Sequence, residues 1–159
     1  MGLDITTYEN LKMVENPQLD EDGCPVNWDS EWMAGSAMEW SESVWAGRGE
    51  GVDPKAVYTY ENEFGFRAGS YSGYNWWRNK LEAFAEGNSF QELINFADNE
   101  GVIGSVISSK LYNDFSNNLE KAEAYSKTLG VKGEWRFKNY QNWMKAFDMA
   151  SQNGAVDFH

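Results

Sequence analysis

The residues best suited to chemistry lie in a polar, glycine-containing segment near the middle of the chain. This segment, residues 67–75, contains Arg67, Ser70, Tyr71, Ser72, Tyr74 and Asn75. A helix that begins at Ser72 or Gly73 would expose unpaired backbone N–H groups beside these side chains. An arginine, hydroxyl groups and a helix N-terminus together favour binding of a phosphate or a carboxylate.

A purely structural role also fits this segment, with one serine capping the helix while the tyrosines pack. The segment lacks the Gly-Lys-Ser/Thr ending of a P-loop and the Gly-x-Gly-x-x-Gly spacing of a dinucleotide site. Two tryptophans follow, and neighbouring helical residues point about 100° apart. Because Trp77 fits the apolar stripe, we expect Trp76 to face a surface or pocket, where it could stack on a ligand ring.

A second polar segment, residues 94–104, offers Asn95, Asp98 and Glu100. Carboxylates two residues apart in a glycine-flanked turn could bind a divalent cation or act as a general base. The other interpretation is a helix C-terminal turn in which Asp98 or Asn99 caps the next helix. The remaining ligand positions of an EF-hand loop are missing.

The catalytic candidates are Asp98, Glu100, Asp157 and His159, the last being the only histidine. A Ser–His–acid arrangement would use Ser70 or Ser72, although no Gly-x-Ser-x-Gly turn is present. The alternative for His159 is an exposed, frayed position without a catalytic role. A metal centre would need His159 with nearby carboxylates, and such an oxygen-rich set suits Mg²⁺ or Mn²⁺. We therefore predict no cofactor, with a divalent metal as the alternative.

These candidates have to be positioned by an α+β fold, which the hydrophobic patterning predicts. Strands are expected at residues 3–8, 57–60, 64–68 and 155–158, with the middle two forming a hairpin. Residues 15–30 form a loop, and residues 31–46 fit a helix only in part. The stretch 70–153 is mostly helical, with a capping box at Ser89 and Glu92 and a break near residues 117–118. We predict one domain, 1–159, with a small mixed or antiparallel sheet packed against three to four helices.

Charge and cysteine content limit the possible partners. The net charge is −12, and residues 1–65 hold 14 acidic but only three basic side chains. This disfavours direct binding of nucleic acid or of an anionic membrane. The acidic half serves either solubility or docking on a basic surface, including mimicry of nucleic acid. The single cysteine, Cys24, excludes an intrachain disulfide and a cysteine-based zinc site. With neither a secretory leader nor a bilayer-spanning run expected, these features suit a reducing cytoplasm.

Four segments carry a resemblance to a known family. They are the MGLDI start, AGSYSGYN followed by a Trp-Arg pair, ELINF with EGVIG, and the GAVDFH ending. Together they resemble a family of small uncharacterised proteins of tailed phages and prophages. The Asp98-Asn99 portion departs from the Ser-Asp-Cys pattern of that family, so thiol chemistry is absent there. The resemblance implies a phage accessory protein acting in the cytoplasm of the bacterial host.

The favoured function is manipulation of the host, by binding either a small anionic, nucleotide-like ligand or a host defence protein. In this hypothesis Arg67, Ser70, Ser72 and Asn75 bind the anion. Tyr71, Tyr74 or Trp76 stacks on the ligand, and Asn95 and Asp98 contact its polar edges. The alternatives are a small hydrolase that uses Asp98, Glu100, Asp157 or His159, and an acidic protein inhibitor that mimics nucleic acid. The oligomeric state is left open.

Overall fold

The computed structural model describes residues 2–96 and 99–159, and these form an α+β fold. The strands are β1 Gly2–Glu9, β2 Lys12–Met13, β3 Trp32–Met33, β4 Val57–Thr59, β5 Asn62–Ser70, β6 Gly101–Gly104 and β7 Ala155–Phe158. The helices are α1 Gly35–Val44, α2 Tyr71–Phe84, α3 Gln91–Ile94, α4 Ser105–Asn117, α5 Leu119–Lys127 and α6 Val131–Ala150. The predicted fold class is confirmed. The described residues form six helices rather than three to four, since the structure adds α1 and the short α3 and the long apolar stripe breaks at Asn118, as predicted.

The main sheet has the strand order β5-β1-β7-β6, and each neighbouring pair is antiparallel. The strands predicted near the two ends of the sequence, β1 and β7, therefore pair at its centre. Their register places Thr6 opposite Asp157, while β1 on its other side places Asp4 opposite Arg67. This register brings residues that are far apart in sequence to one end of the sheet.

The predicted hairpin is wrong, although both of its strands exist. β4 lies in a separate three-stranded sheet of order β2-β4-β3, whereas β5 pairs with β1. The chain crosses between the sheets at Glu61, whose N–H donates to the Glu9 carbonyl at 3.0 Å. The local spacing of the two strands predicted a hairpin, but tertiary packing determines which strands pair. Phe66 of β5 lies edge-on to Trp143 in the core, with 5.2 Å between the ring centroids.

Strand β6 has no counterpart among the strands predicted from the sequence. All four of its residues are buried, and its Gly104 N–H donates to the Arg48 carbonyl at 2.8 Å. A Cβ on Gly104 would lie 2.2 Å from the Glu50 carbonyl oxygen, so the loop at 47–51 closes against this edge. A fully buried four-residue strand with glycine at both ends shows no polar–apolar alternation, which is why it was missed.

The core lies between one face of the main sheet and helices α2, α4 and α6. Thr7 marks this face, since its hydroxyl donates to the Ala146 carbonyl of α6 at 3.0 Å. The opposite face is covered by a smaller cluster from α1 and the three-stranded sheet, which includes Trp32, Met38 and Tyr58. None of the helices within residues 2–96 and 99–159 is long and apolar enough to cross a membrane.

Two predicted helix starts differ from the structure. Ser70, rather than Ser72 or Gly73, caps α2 by accepting the Gly73 N–H at 3.0 Å. The capping box at Ser89 and Glu92 does not form, since no side chain caps α3. Instead, the Phe90 N–H donates to Asp114, and Glu92 pairs with Lys110. In this chain, contacts with α4 replace the local cap.

Candidate functional site

A pocket of about 230 Å³ lies between helix α6 and strand β5. Its lining residues are Arg67, Trp135, Lys138, Asn139 and Asn142. We call it the α6–β5 pocket. The four α6 residues follow the spacing i, i+3, i+4 and i+7, which places them on one face of the helix. Arg67 lies near the C-terminal end of β5, which is followed directly by α2.

The backbone at the end of β5 makes room for this pocket. The register between β1 and β5 shifts at Leu3/Asp4, opposite Ala68, and Gly69 then adopts a φ of +127°. A Cβ on Gly69 would lie 3.7 Å from the Trp135 ring, so the indole packs close to the strand. Glycine is favoured here because that φ is strained for other residues.

Arg136 holds Trp135 in place from the other side. The guanidinium of Arg136 lies 4.1 Å from the Trp135 ring centroid and 3.9 Å from that of Trp76. Its Nε and Nη1 atoms are buried and have no hydrogen-bond partner among the described residues. Burial lowers the pKa of this guanidinium. The sandwich joins α2 to α6 and leaves Trp135 46 % exposed at the pocket.

Asn139 is the distinctive residue of the pocket wall. It is only 3 % exposed, and its Nδ2 atom is buried without a hydrogen-bond partner within residues 2–96 and 99–159. A buried amide without an acceptor costs about 1–3 kcal/mol, so such groups are uncommon in folded proteins. Lys138 lies beside it and adds a positive charge. The pocket wall therefore combines a buried amide with the cation of the exposed Lys138 side chain.

Arg67, the predicted anion-binding residue, borders the pocket but is engaged elsewhere. Its guanidinium forms an ion pair with the Asp4 carboxylate at 2.8 Å. Asp4 lies on the sheet face opposite Thr7 and α6, because side chains alternate along β1. We therefore expect Arg67 to contribute less charge to the pocket than Lys138.

The remaining residues of the first polar segment serve the structure around the pocket. Ser70 caps α2 and lies 3.3 Å from the Ser72 hydroxyl. Tyr71 packs against the core, and Tyr74 is fully buried in a stack with Trp143. The Asn75 side chain accepts a hydrogen bond from Arg78.

Trp76 is not free to stack on a ligand with an open face. Lys80 lies 4.9 Å from its ring centroid, and Arg136 lies 3.9 Å from it. The structural interpretation of the segment thus accounts for Ser70, the tyrosines and Trp76.

The second polar segment lies at the other edge of the main sheet. Two strands, β1 and β7, separate β6 from β5, a span of about 14 Å at the usual strand spacing. Asn95 is exposed and donates to Gln91 at 3.0 Å, and Glu100 is also exposed. Asp98 lies outside the described residues. Arg78 links this segment to α2 by donating to the Ile94 and Phe96 carbonyls.

The other catalytic candidates meet on the sheet face away from α6. The His159 Nε2 atom lies 2.9 Å from the Thr6 hydroxyl, and the Trp32 indole donates to Asp157 at 3.1 Å. Burial raises the pKa of Asp157 from 3.8 to about 6, while the Trp32 hydrogen bond and the charge of His159 act in the opposite direction. His159 thus bonds to Thr6, whereas Ser70 and Ser72 contact each other at the helix cap.

A metal site receives no support from the described ranges 2–96 and 99–159. Within them, no three histidine, cysteine, aspartate or glutamate side chains are grouped as metal ligands. Searches against protein-family models, curated proteins and solved structures found no match to this chain.

Asn139 is the one pocket residue that the sequence pattern marks. Asn139 is in phase with Trp143, Ala146 and Ala150, which are fully buried on α6. A polar amide on an otherwise apolar stripe is a candidate for a specific buried contact. Trp135, Lys138 and Asn142 carried no such mark, because polar residues at this spacing are typical of a solvent-facing helix surface.

Proposed function

We propose that this protein binds a small anionic, nucleotide-like ligand in the α6–β5 pocket. The observation that carries the proposal is the buried Nδ2 atom of Asn139, which lacks an acceptor within the described residues. Because this Nδ2 atom is buried, a phosphate or carboxylate oxygen would complete its hydrogen bond only if the side chains that cover the atom moved aside. Hydrogen bonds to charged groups contribute about 1.5–3 kcal/mol, roughly twice the neutral value.

Lys138 and Trp135 narrow the ligand class. Lys138 supplies a positive charge on the same helix turn as Asn139, and it acts at short range despite the net charge of −12. Trp135 is 46 % exposed, and a planar group could contact the part of its side chain that Gly69 and Arg136 leave uncovered. At about 230 Å³ the pocket is smaller than the roughly 300–1,000 Å³ of typical small-molecule sites. It therefore suits a phosphorylated sugar, with an attached base lying outside against Trp135.

Binding of adenosine monophosphate, compared with inorganic phosphate, tests this proposal by titration calorimetry. We expect both probes to bind, with the nucleotide tighter because it adds stacking. Lys138→Ala and Asn139→Asp should each weaken binding about tenfold or more, since the first removes the charge and the second replaces a donor with an acceptor. Arg67→Ala should have a smaller effect, because the Arg67 guanidinium pairs with Asp4.

Lys145→Ala is the matched control. It removes the same charge from the same helix, but Lys145 lies 4.1 Å from the Phe64 ring centroid and does not line the pocket. The affinity of the Lys145→Ala variant for both probes should stay within about twofold of that of the unaltered protein. The proposal would be abandoned if neither probe bound more tightly than about 1 mM, or if Lys138→Ala and Lys145→Ala behaved alike.

The wider role we propose is that of a phage accessory protein that sequesters such a ligand in the bacterial cytoplasm. This part is supported by the resemblance of the four sequence segments described above. The alternative is a small hydrolase that uses Asp98, Glu100, Asp157 or His159; of these, Asp157 accepts a hydrogen bond from Trp32, and His159 is hydrogen-bonded to Thr6. Turnover of a phosphate ester that is lost in His159→Ala would favour it over simple binding.

A further inference from the structure

Strand β5 forms an open edge of the main sheet. It pairs with β1 on one side, and no other strand flanks it in the part of the chain that the structure describes. At nine residues it is the longest of the described strands. An unpaired edge of this length is a template for pairing with another chain.

The backbone groups that face this open edge can be identified from β1. The Asp4 N–H donates to the His159 carbonyl at 2.8 Å, and the Asp4 carbonyl accepts from the His159 N–H at 3.0 Å, so the backbone groups of Asp4 point toward β7. Along an antiparallel strand, the backbone groups of successive residues point alternately toward the two neighbouring strands. Those of Ile5 and Thr7 therefore point toward β5, where their partners are Phe66 and Phe64. The N–H and carbonyl groups of the intervening residues, Glu63, Gly65 and Arg67, therefore point outward.

The outward residues are self-complementary about Gly65. We propose that two copies of this chain pair antiparallel through β5, with a twofold axis at Gly65. Glu63 then lies opposite Arg67 of the partner subunit, and Gly65 lies opposite the partner's Gly65. Each facing pair exchanges N–H···O bonds in both directions, and the two sheets become one eight-stranded sheet.

Charge disfavours three other registers. Pairing centred on Glu63 or on Arg67 would place like charges directly opposite each other, which is destabilising. A shift of two residues toward Arg67 would leave Glu63 and Arg67 opposite glycines. In the proposed register each Glu63 lies opposite the partner's Arg67, whose guanidinium would then be shared between Glu63 and Asp4 of its own chain, and Phe64 lies opposite Phe66 of the partner subunit on the other face. Outward residues of a single charge sign would make the β5 edges of two copies repel each other. Glu63 and Arg67 instead have opposite signs, and each lies two residues from Gly65.

The copies should separate and recombine according to charge. By sedimentation at about 100 μM and low salt, we expect the unaltered chain to be a dimer. Glu63→Arg alone and Arg67→Glu alone should each weaken the dimer about tenfold or more, because each places like charges opposite each other. An equimolar mixture of these two variants should form a heterodimer, since every arginine then faces a glutamate.

Gly65→Pro provides an independent variant that spares the monomer. It removes an N–H that points outward, and proline is tolerated at such positions on edge strands. We expect a folded monomer, with its fold checked by circular dichroism. The proposal is overturned if the unaltered chain is monomeric at this concentration, if Gly65→Pro remains dimeric, or if the mixed variants fail to associate.

Discussion

Asp157→Asn is expected to stabilise the protein by about 3 kcal/mol at pH 7 but by only about 1 kcal/mol at pH 4.5. Burial raises the pKa of Asp157 from 3.8 to about 6, so the folded state disfavours the ionised carboxylate. The unfolded chain releases this proton near pH 4 and the folded chain near pH 6. Stability is therefore lost as the pH rises through this window. Asparagine carries no charge, and its oxygen can still accept the Trp32 N–H.

Urea unfolding at several pH values measures this difference. Asp148→Asn is the matched control, because it removes the same charge from an exposed position on α6. It should change the free energy of unfolding by less than about 0.5 kcal/mol at every pH. A stabilisation by Asp157→Asn that did not grow between pH 4.5 and 7 would show that burial of the charge is not its cause.

The parts of the fold that could be predicted are those that local patterns determine. The alternation at residues 3–8 gave β1, and the loss of periodicity near Asn118 gave the boundary between α4 and α5. The predicted hairpin was wrong because both strands have suitable local patterns, while the strand with which each one pairs depends on packing against Trp143. Strand β6 was not predicted because its four buried residues show no polar face.

In the candidate site, too, local sequence patterns predicted some residues, while tertiary contacts determined the others. Arg67 could be singled out because it precedes a glycine-containing turn, and it borders the pocket. Its ion pair with Asp4 could not be foreseen, since these residues are 63 positions apart. The other pocket residues come from α6, whose position over β5 is fixed by tertiary contacts. The cluster at Ser70–Asn75 looked functional because residues that cap helices are also those that bind anions.

The second large effect concerns the core beneath the pocket. Trp143→Ala is expected to destabilise the protein by about 3–5 kcal/mol, or roughly 6–20 °C in Tm. Trp143 is fully buried, and its ring lies within 5.2–5.7 Å of five other aromatic rings from β5, α2, α6 and β7. Removing it would leave a cavity where these four elements meet. Thermal unfolding monitored by circular dichroism measures the effect.

Trp135→Ala separates the structural role of α6 from its proposed binding role. It removes the same side chain from the same helix, but from a position that is 46 % exposed and lines the pocket. We expect a loss of stability below about 1.5 kcal/mol together with weaker binding of adenosine monophosphate, because the stacking surface is gone. Binding of inorganic phosphate should be largely retained, since Lys138 and Asn139 remain. If Trp135→Ala destabilised the fold as much as Trp143→Ala, its sandwich with Arg136 would belong to the core, and Trp135 would lose its proposed role as a ligand surface.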